Sequence, residues 1–172
     1  MEDSKRYVYH FDNPIDWESV QELIDILSQH EKIDLFFTTE GGEIAEVRVL
    51  IHYLNTRKDD IDIYLTDVIM SAGTFLLTDY QGKITLTESL DCILFHKTDR
   101  QVYTRRQQFV SIPILLEQLD NDNELMAKKF LDLGLTKSEI KEYKEGKDVV
   151  LYRKDFNRLN INKKWTNTKK KK

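Results

Sequence analysis

The chain has 172 residues, 40% hydrophobic and 33% charged, with a net charge of −4. That length suits one domain with a substantial core and is short for two. The negative balance argues against a whole-molecule nucleic-acid binder, and no apolar run approaches the ~20 residues that span a bilayer. A single cysteine, Cys92, rules out a disulfide framework within the chain, and the opening "MEDSKRYVYHFD" has no apolar signal core. A cytoplasmic protein is expected.

In chain order, "RYVYHF" alternates as a short strand. After Asn13-Pro14, residues Trp17, Val20, Leu23, Ile24 and Leu27 fall at helical spacing, with Asp16 as the N-cap. "IDLFFTT" reads as a strand largely apolar on both sides, broken by Glu40-Gly41-Gly42. Ile44, Val47, Leu50, Ile51 and Leu54 then mark a second helix. "IDIYLTD" is the next strand, followed through "VIM" by Ser71 and a helix over Ala72 to Tyr80. This alternation predicts an α/β fold of parallel βαβ units, with helices covering the sheet.

"KITLTES" and "LDCILFHK" predict two more strands. From about Thr104 to Asp132 the pattern is helical, with Pro113 expected to kink or break it and Gly134 to stop it. Thr136 and Glu139 predict a capping box for a helix ending near Gly146, and "DVVLY" a last short strand. One domain is expected over 1–162, and 163–172, ending in Lys169 to Lys172, is expected to be a basic, disordered tail.

Functional residues of βαβ folds gather at the carboxyl ends of strands. Three such ends stand out here: Gly41-Gly42, Ser71-Ala72-Gly73 and His96. Read alone, Ser71 is either a small residue at a tight junction or a nucleophile. The G-x-S-x-G elbow is not met, because Ile69 stands where its first glycine would be. The glycine pair is either an ordinary turn or a bend whose N–H groups face a ligand oxygen. His96 is either structural or a general base. No two histidines fall at ligand spacing, so no metal site is expected, and Cys92 reads as a core residue. Trp17 and Trp165 read as packing or tail residues.

The segments "TTEGGEI", "VIMSAGTFLL" and "LDCILFHK" together resemble the proteolytic subunit family of Clp proteases and its phage and stand-alone relatives. Ser71 follows Gly42 by 29 positions and His96 follows Ser71 by 25, the intervals expected for that family. The resemblance runs from about Ile33 to His96 and resumes loosely in "LTKSEIKEYKEGKDVVL". It implies a ClpP/crotonase-like repeated βαβ spiral with a protruding helical handle, about 104–132, that pairs subunits in rings. It implies a serine peptidase without cofactor, acting on peptides or unfolded protein, in which Ser71 is the nucleophile and His96 the base. Gly42 and Ala72 would supply the oxyanion hole. Asp148 would be the third triad member, with Asp155 as its rival.

The chain departs from the family pattern at Glu40, where a proline precedes the glycine pair, and at Thr38-Thr39, where Asn-Ser is usual. It has no counterpart of the family's long gating segment and Glu-Ala ending, so whether an unfolding ATPase is a partner stays open. "KTDRQVYTRRQQ" has no glycine where the family carries a glycine-rich, peptide-cradling strand. Two further readings stay open: a non-catalytic oligomeric scaffold of the same fold, and an acyl-CoA hydratase or isomerase of the crotonase type.

Overall fold

Asp16 opens the first helix as its sequence predicts: its carboxylate accepts the Ser19 N–H at 2.8 Å, and the Ser19 hydroxyl accepts the Asp16 N–H at 3.1 Å. The computed structural model that establishes this describes residues 6–98 and 112–161. Strand β1 is Tyr7–Phe11, helix α1 Trp17–Ser28, β2 Ile33–Thr39, α2 Ile44–Thr56 and β3 Ile61–Met70. A 3-10 turn, Ser71–Thr74, leads into α3, Phe75–Asp79. Then come β4, Lys83–Leu86, and β5, Cys92–Phe95. Helices α4, Ile112–Leu133, and α5, Lys137–Lys144, precede β6, Val149–Tyr152, and α6, Arg153–Phe156. No helix among the described residues is long and apolar enough to cross a membrane.

The six described strands form one mostly parallel sheet of order β1-β2-β3-β5-β6, with β4 also on β3. Only the β5–β6 pairing is antiparallel. Adjacent parallel strands joined in sequence put right-handed crossover helices on one face. Ile33, Leu35 and Phe37 of β2 and Ile61, Ile63 and Leu65 of β3 are buried on that face with Val20, Leu23 and Leu27 of α1 and Val47, Leu50 and Leu54 of α2.

The opposite face corrects the expectation that β2 is apolar on both sides. Asp34, Phe36, Asp62 and Tyr64 are half-buried there and Val8 is exposed. The rings of His10, Phe36 and Tyr64 stack across strands at 4.8 and 4.9 Å, and Arg6 and Lys83 pair with Asp34 and Asp62 at 2.6 and 3.0 Å. Stacked rings and ion pairs shield this face. Trp17, placed in the α1 stripe by spacing, is 61% exposed. Helical spacing defines a direction, but not how far the sheet reaches beneath it.

Strand β3 runs three residues beyond the predicted "IDIYLTD" because it bulges. Phe37 pairs with Leu65 and Thr39 with Ile69, so β3 carries two extra residues there, one of them Asp67 at φ +50°. The Thr38 hydroxyl fills the gap in the ladder, donating to the Val68 carbonyl at 2.9 Å and accepting the Val68 N–H at 3.2 Å. Before the bulge Asp62 to Leu65 pair with β4, and after it Val68 to Met70 pair with β5. The bulge therefore hands the same edge of β3 from one partner to the next.

Of the expected 104–132 handle, 104–111 lie outside the described residues, so the break expected at Pro113 adjoins chain that is not described. The second half of α4 does not protrude: Asn123, Met126, Ala127, Phe130 and Leu133 are buried. Phe130 meets the rings of Phe95 and Tyr143 edge-on at 4.7 and 5.4 Å. Gly134 ends the helix as predicted, at φ +123°, with its N–H on the Leu131 carbonyl and the Leu135 N–H on the Phe130 carbonyl. The predicted tail 163–172, Trp165 included, lies outside the described residues.

Candidate active site

Register brings the candidate residues together. Met70 of β3 pairs with Leu94 of β5, so Ser71 leaves the sheet beside Phe95 and one step from His96. Phe95 pairs with Val149 across the antiparallel β5–β6 ladder, so the next cross-strand positions are His96 and Asp148. His96 Nε2 lies 2.7 Å from Ser71 Oγ, a hydrogen bond, and His96 Nδ1 lies 3.8 Å from Asp148 Oδ1, ion-pair range. With the ring proton on Nδ1, facing the carboxylate, Nε2 is free to accept the serine proton.

The same register disposes of the rival acid. Cys92 pairs with Tyr152, so α6, which follows directly, starts at the far end of β5 from His96. Asp155 caps α6 there, accepting the Tyr152 N–H at 3.2 Å, with Arg158 at 3.9 Å. His10 stacks on Phe36 and His30 on Tyr7, both in contacts unrelated to Ser71. Burial, and then Asp91, pushes the Cys92 thiol above its ordinary pKa, the opposite of activation.

Ser71 occupies a strained turn. Its φ is +53°, left-handed for a residue with a Cβ, which costs about 1–3 kcal/mol. Two glycines make room for it. A Cβ on Gly41, at φ +103°, would come 2.5 Å from Ser71 Cβ. A Cβ on Gly73 would come 2.5 Å from Thr39 Cγ2. The room for Ser71 at this φ is thus supplied from across the sheet by Gly41. No pattern confined to residues 69–73 contains that information.

The glycine pair is itself pinned. Gly41 C=O accepts the Ile15 N–H and Ile15 C=O accepts the Glu43 N–H, each at 2.8 Å. These two bonds leave the Gly42 N–H directed away from Ile15. A Cβ on Gly42 would strike the Ile15 carbonyl oxygen at 2.1 Å. The buried Thr39 hydroxyl accepts the Gly41 N–H at 3.0 Å and donates to the Asn13 carbonyl at 2.9 Å. Glu40 is exposed and lies outside the cleft lining.

Gly42, Ser71, Ala72 and His96 line one cleft of about 200 Å3, with Ile44, Phe75, Lys97 and Thr98. Ala72 opens the turn after Ser71, and N–H groups at a helix start lack a carbonyl one turn back. Hydroxyl, imidazole and the Gly42 and Ala72 positions therefore line one cleft, with the Asp148 carboxylate 3.8 Å from the imidazole. An adjoining pocket of about 510 Å3 adds Met126, Leu119 and the Arg48–Asp122 pair to the lining. No group of three or more His, Cys, Asp or Glu able to hold a metal occurs among the described residues.

Sequence reasoning missed two residues that brace this region, Asn123 and Tyr143. A buried amide and a buried phenol inside helical patterns give no local signal of what they bond. No protein-family model and no curated protein matches the chain.

Proposed function

We propose that the protein is a serine peptidase of the ClpP-like, crotonase-like type, hydrolysing peptides or unfolded protein segments. The observation that carries this reading is the 2.7 Å contact between His96 Nε2 and Ser71 Oγ on a strained turn. Ser71 Oγ attacks the scissile carbonyl carbon while Nε2 takes its proton. The tetrahedral oxyanion is held by the N–H groups of Gly42 and Ala72. The imidazolium then gives its proton to the leaving amine, and water repeats the cycle to release the acyl group. Asp148 faces the Nδ1–H and stabilises the imidazolium. Loss of one oxyanion donor costs about 2.7–4 kcal/mol in such sites, so the glycine turn matters as much as the base. The proposal includes assembly as a homo-oligomer in the cytoplasm.

A fluorophosphonate probe tests it. The wild type is expected to be labelled and Ser71→Ala to stay unlabelled with an unchanged thermal melt. Equal labelling of both, or none of the wild type, would reject Ser71 as the nucleophile. One observation favours the second reading, a non-catalytic scaffold of the same fold: the Asp148 side chain is 62% exposed and 3.8 Å from the ring. An unlabelled wild type that still assembles into a defined oligomer is the outcome that reading requires.

A further inference from the structure

Asn123 is a buried polar side chain, 5% exposed, in the middle of α4. Its Oδ1 accepts the Thr98 N–H at 3.1 Å, and its Nδ2 donates to the Thr98 carbonyl at 3.4 Å. A carboxamide carries one acceptor and one donor side on the same plane, as a peptide group does. Asn123 thus bonds Thr98 as a neighbouring strand would. The real neighbour cannot do so: β6 starts at Val149, and Gly146, at φ +79°, has turned the chain before a partner for Thr98 is reached.

The amide is oriented by a third bond. Tyr143 Oη donates to Asn123 Oδ1 at 3.2 Å from within α5. Burial, and then Glu124, pushes the Tyr143 phenol up to about 12, so it remains a donor across the physiological range. Two donors converge on Oδ1, which leaves Nδ2 facing the carbonyl and sets the flip of the amide. The Lys97–Asp120 pair at 3.7 Å ties the same segment to the same helix. Thr98 lies two residues after His96 and lines the cleft. Tyr143 lies on the helix that leads to Asp148.

We infer that Asn123 is a positioning residue, locking the His96–Thr98 segment to α4 and α5 so that the imidazole stays in reach of Ser71. This rests on the peptidase reading for its kinetic consequence, though not for its geometry. An unbraced segment leaves His96 at an exposed strand end, and misplacing a reacting group by about 1 Å can cost 10²-fold in rate.

The test compares Asn123→Ala, Asn123→Asp and Tyr143→Phe with Tyr80→Phe. The last removes a buried hydrogen bond, to the Ile61 carbonyl, away from the site. Each variant is assayed for fluorophosphonate labelling rate, thermal melt and the imidazole nitrogen shifts of His96. Asn123→Asp keeps shape and acceptors but sets an oxygen against the Thr98 carbonyl, so it and Asn123→Ala are expected to label about 100-fold more slowly. Tyr143→Phe should label several-fold more slowly, and Tyr80→Phe at the wild-type rate despite a lower melt. The His96 Nε2 shift in the Asn123 variants should move toward its value in Ser71→Ala. Wild-type labelling and wild-type His96 shifts in folded Asn123→Asp or Tyr143→Phe would overturn the inference. If the wild type itself is unlabelled, the peptidase reading falls, and the His96 shifts still decide whether Asn123 positions the ring.

Discussion

The two ends of the parallel strands are built differently. At the amino ends, long cations and hydroxyls close off the backbone. Arg57 donates to the carbonyls of Leu27, His30 and Glu31, Arg6 to that of Ile33, and Tyr80 to that of Ile61. Lys32 pairs with Asp60 at 2.5 Å. At the carboxyl ends, Ser71, Gly41 and Gly42 have positive φ, Ser71 and His96 line an open cleft, and Asp148 stands 3.8 Å from the His96 ring. Stabilising bonds sit at one end and backbone strain at the other. Strain of this kind persists only where the surroundings over-determine it, and here the register and the Ile15 bridge do so.

The contrast can be broken most strongly at Gly42. Gly42→Ala puts a Cβ into the Ile15 carbonyl at an unfavourable φ and should cost about 3 kcal/mol or more, read in a urea midpoint. It should abolish fluorophosphonate labelling as the turn shifts. Arg57→Ala attacks the other end. Loss of a charged donor from three carbonyls should cost about 2 kcal/mol and leave the labelling rate per folded molecule unchanged.

Ser71→Gly sharpens the comparison in the opposite direction. A glycine accepts φ +53° without strain, so the variant should gain about 1 kcal/mol, or ~2–4 °C in Tm, while losing all labelling. A melt below that of Ser71→Ala would show that the turn is not strained. The smallest effect concerns acid. The hydrogen bond from Lys32 holds the Asp60 carboxyl below its usual pKa. A depressed carboxyl stabilises the fold above its unfolded value, about 3.9, and loses that contribution as pH falls through the folded value. Lys32→Met should therefore be slightly less stable than wild type at neutral pH, with the two urea midpoints converging in acid.

Much of the fold was readable because it is locally encoded. The β2 and β3 segments as strands, the helical stripes of α1 and α2, and the capping residues Asp16, Thr136 and Gly134 all act within a turn or two of chain. Ser71, His96 and the glycine pair were readable as strand ends. Asp148 and Asp155 could not be separated in the linear chain, because both flank the same short strand. Nor could the room Gly41 makes for Ser71 be read from residues 69–73, or the grip of Asn123 on Thr98, 25 positions away.

By itself, then, the sequence determined most of the segments that are strands and helices and which polar residues stand near their ends. Only the tertiary structure decided which of those ends meet. Side-chain periodicity is a property of one segment. Whether Ser71, His96 and Asp148 touch depends on the pairing register of β3, β5 and β6, and on a bulge in β3 that shifts that register by two residues.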